Sequence, residues 1–547
     1  MNIKTLFDNG MITFDEYLDK FGIKDKKEFF NPTGKYLDDC YKYKNMRDAV
    51  QMAKYHMLAN DPLYILSDSG DCDGITSACI CYDYIHSIHP KLDIKILIHE
   101  NKERGLQDDK LFKQITTEVR PWVIIPDAGT NDVDRARELS ELSVDLIGLD
   151  HHALDTPIET GILVNNQVGE VSHCGSGCLV THKFLQALDR EFDIKNSTKY
   201  IDMVALSLVS DVMDMSDLQN RTYYKFGIET YDCINNPFLK ALFDKFIGDK
   251  PYTQRDIAFK IVPKLNAVSR SGKQDLKQQV FAAFLGLIDN LTEVADACGK
   301  QHSEQTRIVA KAVEENKPNI NYDDKLIILA SDNIPKTYAG LIAAKLSENH
   351  PIIVGSVKDG EMIGSFRSPV DIDDTLEHNP LISWKRGHSQ ASGIALPSEN
   401  IQPLIDFYNS LESLPQPYTD VLGSWTTKSM SKRLFDEFDT DTDELRGMYG
   451  KGFPKPLIHL HDIIVKPNDV QVMGKTGRTL KLNKDGIDII WFFISNADKE
   501  LLLSDKTYKL EIIGTMGINE WNGVRTPQLI VEQFETSPYE LTLDNFF

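Results

Sequence analysis

The sequence predicts an α/β protein: two α/β domains joined by a long helix, then a C-terminal all-β barrel. Three observations carry this. Short apolar runs alternate with amphipathic stretches from about residue 62 to 215, and again from about 323 to 412. Residues 285–316 are charged, proline-free and helical in composition, so one helix can bridge the two blocks. Beyond about residue 455, short strand-like runs recur at regular spacing, as in a small barrel or sandwich.

Taken in order, residues 1–60 read as an N-terminal helical segment and 61–284 as the first α/β block. In that block "LYIL", "LDIKILI", "WVIIP" and "VDLIGL" are buried strands, and their alternation with helices implies a parallel sheet. The connecting helix occupies 285–316, the second block 317–412, a polar connector 413–454, the barrel 455–537 and a tail 538–547. A chain of 547 residues exceeds a single core, and 41% hydrophobic content is ordinary for a globular protein. No run approaches the ~20 apolar residues of a membrane span, and the first residues lack a secretory pattern. A cytoplasmic monomer without a membrane partner is expected. The eight cysteines show no paired spacing of a zinc site and read as reduced and packed. The net charge of −22 weakens a nucleic-acid reading without excluding it, because bound cations can meet phosphates in place of lysines.

Acidic residues follow the strands of the first block. "LYILSDSGDCDG" places Asp68, Asp71 and Asp73 after one strand, "WVIIPDAGT" places Asp127 after another, and "VDLIGLDHHALD" places Asp150, His151 and His152 after a third. Asp211 closes the apolar run "MVALSLVSDVMDM". In open parallel sheets ligands bind beyond the carboxyl ends of the strands, so four elements deliver these groups toward one cleft. So many carboxylates raise each other's pKa unless a cation sits among them. Aspartate and histidine without thiolate suit two divalent ions, Mn2+ or Mg2+, which activate water and stabilise the leaving oxygen of an in-line phosphoryl transfer. Any single strand-end aspartate is more often a helix cap; four clusters in succession favour the metal site.

At these residues the sequence resembles the DHH phosphoesterase family: "DCDGITS", "PDAG", "LDHH" and "VSDVMD" are similar to its four motifs in order. The resemblance implies Asp71 and Asp127 on one ion, and Asp73, Asp127, His151 and Asp211 on the other. Asp127 would bridge them, Asp150 would orient from behind and His152 would face the scissile phosphate. Downstream, "VPKLNAVSRSG", "GSFRSP" and "RGHSQASGIAL" are similar to segments of RecJ-like single-strand exonucleases, and the C-terminal region resembles their oligonucleotide-binding barrel. The two blocks would then be DHH and DHH-associated domains. Where the family carries an aspartate two positions before its DxD pair, this chain has Ser69, and Asp68 is expected as the substitute ligand. The family's phosphate-seating arginine has Asn101 in its place, with Lys102 and Arg104 nearby.

The resemblance also implies substrate contacts at Asn266, Arg270, Ser365, Arg367, Gly387 and His388. Arg367 is suited to hold a terminal phosphate by paired charge-assisted hydrogen bonds, with Ser365 as a further donor. The expected function is a metal-dependent 5′-to-3′ exonuclease on single-stranded DNA. The alternatives are a phosphodiesterase of short oligonucleotides or cyclic dinucleotides, and a non-catalytic strand-binding replication scaffold. Trp491, Trp521, Phe492 and Phe493 are weighed as stacking groups against core residues of the barrel, with core favoured. The tail "ELTLDNFF" resembles short tails that bind DNA sliding clamps; a sliding clamp, a single-strand-binding protein or the chain's own barrel is its expected partner.

Overall fold

In the computed structural model, which describes residues 1–8, 12–68, 70–100, 105–248, 251–347, 350–415, 417–439, 449–474, 477–521 and 523–539, the first block is built on a parallel sheet. Its strands are β1 (Leu63–Ser67), β2 (Ile94–Ile98), β3 (Trp122–Pro126), β4 (Asp145–Asp150) and β5 (Ile162–Asn165), in spatial order β2-β1-β3-β4-β5. Burial on both faces explains the unbroken apolar runs: Leu63, Ile65, Trp122 and Ile124 enter one core, Tyr64, Leu66, Val123 and Ile125 the other. The first core is closed by α1 (Met46–Ala59), α2 (Cys72–Ile88), α3 (Gly177–Phe192) and α4 (Ile201–Ser210). The strand order reverses between β1 and β3, and their carboxyl ends carry the first two acidic segments.

After α5 (Val262–Ser269), the long helix α6 runs Leu291–Asn316, 26 residues. Its first half puts Val294, Ala295 and Cys298 into the core of the first block, and its second half puts Val309 and Ala312 into that of the second. The two blocks thus share one continuous rod. The second block is a mixed sheet of β6 (Ile327–Ala330), β7 (Ile352–Lys358), β8 (Glu361–Arg367), β9 (Trp384–His388) and β10 (Ala391–Pro397), in spatial order β9-β10-β8-β7-β6. The helix α7 (Ala339–Leu346) packs on β7 through Ile342 and Ala343. Residues 32–416 form one compact unit containing both blocks.

The other unit joins residues 1–31 to 417–547. The segment 1–60, expected as one helical piece, is therefore divided. Ile3–Thr5 is a strand paired in parallel with Thr419–Val421, while α1 belongs to the first block. This unit holds a seven-stranded sheet. Its order is the short strand Ser424–Trp425, β11 (Leu457–Val465), β15 (Tyr508–Trp521), β16 (Val524–Pro538), β14 (Ile487–Trp491), β13 (Thr479–Lys484) and β12 (Val470–Met473). Trp491 is core, whereas Phe492 and Phe493 are exposed; the Trp521 side chain, Ser69, residues 101–104 and the tail from 540 onward lie outside the described residues. All eight cysteines are free. Among the described residues no helix is long and apolar enough to cross a membrane. An α/β pair of blocks with a C-terminal β domain is the fold class read from the sequence.

Candidate active site

The first acidic segment turns sharply from β1 into α2. Asp71 is the N-cap of α2, its Oδ1 accepting from the N–H groups of Asp73 and Gly74 at 3.0 and 3.3 Å. Only glycine fits at 74, since a Cβ there would lie 1.5 Å from the Asp68 carbonyl oxygen. Asn266, on α5, accepts from the Cys72 N–H at 3.0 Å, so this expected substrate contact is spent, through its oxygen, on holding the loop.

Asp73 is buried, and both its oxygens are fixed by the start of α3: Gly177 N–H donates to Oδ2 at 2.8 Å and Cys178 N–H to Oδ1 at 2.9 Å. The positive end of a 16-residue helix thus stabilises a carboxylate that burial would penalise. Asp127, after β3, has φ +66°, a left-handed conformation uncommon for a residue with a side chain. Its N–H donates to the Leu149 carbonyl at 2.8 Å, tying the turn to β4.

Asp150 ends β4 with every contact supplied by protein. Thr130 donates to Oδ2 from N–H and hydroxyl at 3.0 and 2.6 Å, while Oδ1 accepts from the N–H groups of His151 and His152 and lies 2.8 Å from His152 Nδ1. Burial would raise its pKa, but the His152 hydrogen bond and the charges of His152 and His151 hold it below the usual carboxylate range. It stays an anion and sets which His152 nitrogen carries the proton. Asn165 Nδ2 donates to the His152 carbonyl and Gln167 Nε2 to that of His151, at 2.9 and 3.1 Å, so the histidine pair is braced from behind.

His151 is where the elements meet. Its Nε2 lies 3.3 Å from Asp127 Oδ1, 3.6 Å from Asp211 Oδ2 and 3.8 Å from Asp73 Oδ2. Burial lowers its pKa, against the pull of Asp73, which favours the neutral ring with a lone pair to offer. Burial pushes the Asp127 carboxyl well up, and the charges of Asp73, Asp71, Asp68 and Asp150 push it further. Its Oδ1 is buried and makes no hydrogen bond. Such an atom among four acidic neighbours and an imidazole is what a divalent cation satisfies.

Two groups of ligand atoms converge, each within 4.8 Å of one another: Asp73, His151 and Asp211, and Asp127, Asp150, His151 and His152. In the second group the Asp150 oxygens are already taken, so Asp127 and His151 are its offering atoms. Asp68 and Asp71 stand outside both groups, though each is close enough to act on Asp127 through its charge. The neighbouring thiols of Cys72 and Cys178 are driven well up by burial and by these acids, so they stay protonated and leave oxygen and nitrogen as the donor set. The cluster is able to hold metal.

In the second block, Ser365 and Arg367 lie on β8. Arg367 packs against α7 so closely that a Cβ on Gly340 would be 2.6 Å from its Nη2. Burial lowers the Arg367 pKa and the nearby Arg270 charge lowers it further. The charge of Arg270, from the first block, thus reaches Arg367 in the second, and Arg367 has no carboxylate partner among the described residues. Gly387 and His388 lie on the exposed edge strand β9, with Gly387 at φ +125°. The groups that motif reading missed are Thr130, the main-chain donors of Gly177 and Cys178, and the braces Asn165 and Gln167. The threonine of "PDAGT" and the glycines of "HCGSG" were their only traces.

The fold and the site define an α/β protein with an acidic cluster able to hold metal and a C-terminal β domain, and comparison with known proteins narrows the class. Residues 62–208 match the DHH family, N-terminal domain, and 436–533 match the RecJ OB domain. A putative SPbeta prophage-derived single-strand DNA-specific exonuclease, YorK of Bacillus subtilis, is 26% identical over 559 residues, 94% of each chain. The single-stranded-DNA-specific exonuclease RecJ of Bacillus subtilis is 22% identical across 92% of this chain and 65% of its own length. The crystal structure of Thermus thermophilus RecJ in complex with Mn2+ superposes with a TM-score of 0.76 at 20% identity, covering 96% of this chain and 76% of that one. The Mg2+ complex of that protein gives 0.70 at 19%. This chain therefore carries a DHH family domain and a RecJ OB domain, and its fold is that of RecJ.

Proposed function

We propose that the chain is a Mn2+- or Mg2+-dependent exonuclease that hydrolyses single-stranded DNA from the 5′ end and releases 5′-mononucleotides. The observation that carries this is the meeting of Asp73, Asp127, His151 and Asp211 at one point, with the Arg270–Arg367 pair in the same unit. The names of the relatives and the RecJ OB match support single-stranded DNA as substrate.

Two ions would be held by Asp73, Asp127, His151 and Asp211, with Asp71 and Asp68 completing the second position. When bound, they supply an activated water and charge neutralisation at the leaving oxygen. Asp127, which belongs to one of the two ligand groups and feels the charges of Asp73, Asp71 and Asp68, is the bridging candidate. His152, its Nδ1 proton held by Asp150 and its ring 41% exposed, is placed to meet the phosphate being cut. The guanidinium of Arg367, with the charge of Arg270 nearby, suits a dianionic terminal phosphate, with the Ser365 hydroxyl as a further donor. Anchoring that phosphate would fix which linkage reaches the acids and so set the polarity. A phosphodiesterase of short oligonucleotides needs no strand-holding barrel, and the match over 436–533 favours the long strand.

The test is product analysis over time on strands labelled at either end, 5′-phosphorylated or not, with Mn2+, Mg2+ or chelator. Mononucleotides released from the 5′ end only when metal is present are expected. Selective hydrolysis of dinucleotides, or no Mn2+-dependent cleavage, overturns the proposal.

A further inference from the structure

The second block carries an aromatic platform beside its arginine. In the sheet register Arg386 on β9, Gly393 on β10 and Ser365 on β8 stand in one row, and His388, Ala391 and Arg367 in the next. Residues opposite one another in a ladder project to the same face, so Trp384, Arg386, Ser365 and Arg367 share one side of the sheet. Burial agrees: the alternate positions Lys385, Ile394 and Phe366 are sunk in the other side, the Lys385 ammonium paired with Asp373 at 2.8 Å. On the shared face α7 covers β7 and reaches Arg367, but β9 remains open and Trp384 is 37% exposed.

The Trp384 ring lies over Gly393, where a Cβ would be 3.4 Å from its Cζ3, and the Arg386 guanidinium stands 5.6 Å from the ring centroid. Part of this is structural, since an aromatic laid across a neighbouring glycine shields the backbone there. Yet Trp384 remains 37% exposed, so this contact does not bury it. Arg386 has no carboxylate partner among the described residues, in a chain whose net charge is −22. From Ser365 to Arg386 is two strand spacings, about 10 Å. A nucleotide spans that distance from phosphate to base.

We infer that Trp384 and Arg386 form a base-binding subsite, on which the 5′-terminal base stacks while its phosphate is held by Ser365 and Arg367. This rests on the proposed exonuclease reading and adds a specificity element to it. Stacking on indole tolerates every base, because each has a π-face, but requires that a base be present. Arg386 adds a cation beside the stacked ring. The subsite therefore predicts a nuclease indifferent to the identity of the terminal base and sensitive to its absence.

The experiment compares strands with a normal and an abasic 5′-terminal nucleotide, both 5′-phosphorylated, for wild type, W384A, W384F and R386A. For wild type, loss of the base should raise KM about ten-fold, equivalent to about 1.4 kcal/mol of stacking. W384A should show that rise on the normal strand and little further change on the abasic one. W384F should retain most of the discrimination, and R386A should raise KM a few-fold. Binding is read independently through quenching of Trp384 fluorescence by oligothymidylate in a D127N background, with W384F as the blank. If W384A folds and the base effect persists undiminished, the subsite is overturned. A wild type that cleaves neither strand with Mn2+ sinks the exonuclease reading instead. Quenching that survives in W384F also counts against the platform.

Discussion

A methyl group on Gly177 would lie 2.2 Å from Asp127 Oδ1, so the first residue of α3 must be glycine for that helix to come so near the turn after β3. The N–H of the same residue donates to Asp73 at 2.8 Å. One position thus sets the spacing between two acids that no local sequence relation connects. G177A is expected to push Asp127 aside. A misplacement of about 1 Å costs on the order of 100-fold in rate. Calorimetric Mn2+ titration alongside strand cleavage should show both weakened, with the circular dichroism spectrum kept. Unchanged metal affinity would mean the close approach has no functional weight.

Asp127 is costly to the metal-free fold. Burial and four neighbouring acids push its pKa up, and its Oδ1 has no hydrogen bond. D127N keeps the shape and removes the charge, so it should raise the unfolding midpoint in chelator by about 2 °C or more. Wild type should gain from Mn2+ as a bound ligand stabilises the native state, by about 2.7 kcal/mol at 100 times Kd, and D127N should gain little. Thermal scans with chelator and with Mn2+ separate these effects. A midpoint that falls in D127N would show that the carboxyl has a stabilising partner.

How much of this could be read beforehand follows from what kind of group does each job. Asp71, Asp73, Asp127, His151 and Asp211 stand out because acids directly after apolar runs have few other reasons to cluster. The α6 rod was legible because 26 residues without proline carry a strong composition signal. Main-chain donors leave no such mark, which is why Gly177 and Cys178 were invisible as the holders of Asp73. The pairing of Ile3–Thr5 with Thr419–Val421 joins residues about four hundred positions apart, beyond any local pattern. Trp384 gains its meaning from a three-strand register, which periodicity within one strand cannot supply.

Arg367 and Arg270 make a prediction about the end of the strand. Because each raises the cost of the other's charge, a dianionic phosphate between them should be favoured over a hydroxyl. R367A should reduce kcat/KM on 5′-phosphorylated strands by about 10- to 100-fold, the range of one charged hydrogen-bonded contact, and affect 5′-hydroxyl strands far less. R367K should recover only part of this, since an ammonium cannot make the paired contact. Equal losses on both kinds of strand would assign Arg367 a structural role.

His182 gives the fold an acid limit. It is wholly buried on α3, with Nδ1 2.9 Å from the Tyr223 hydroxyl oxygen and Nε2 2.9 Å from the Ser197 carbonyl oxygen. A carbonyl only accepts, so Nε2 carries the proton and Nδ1 accepts from Tyr223, which employs the neutral ring fully. Burial, and then the Lys183 charge, lower its pKa to about 4, against the Ser197 hydrogen bond. In the unfolded chain the ring titrates near about 6.5. Between those values the unfolded state binds a proton that the folded state refuses, so this contribution is whole above about 6.5 and is lost as pH falls toward 4. The loss should amount to about 3 kcal/mol across that window. H182Q keeps a donor and an acceptor without titrating. Urea unfolding of wild type and H182Q at pH 7, 6, 5 and 4 should therefore show wild type losing stability relative to H182Q by about 3 kcal/mol between pH 7 and pH 4. Parallel curves would show that His182 takes up its proton without opening the fold.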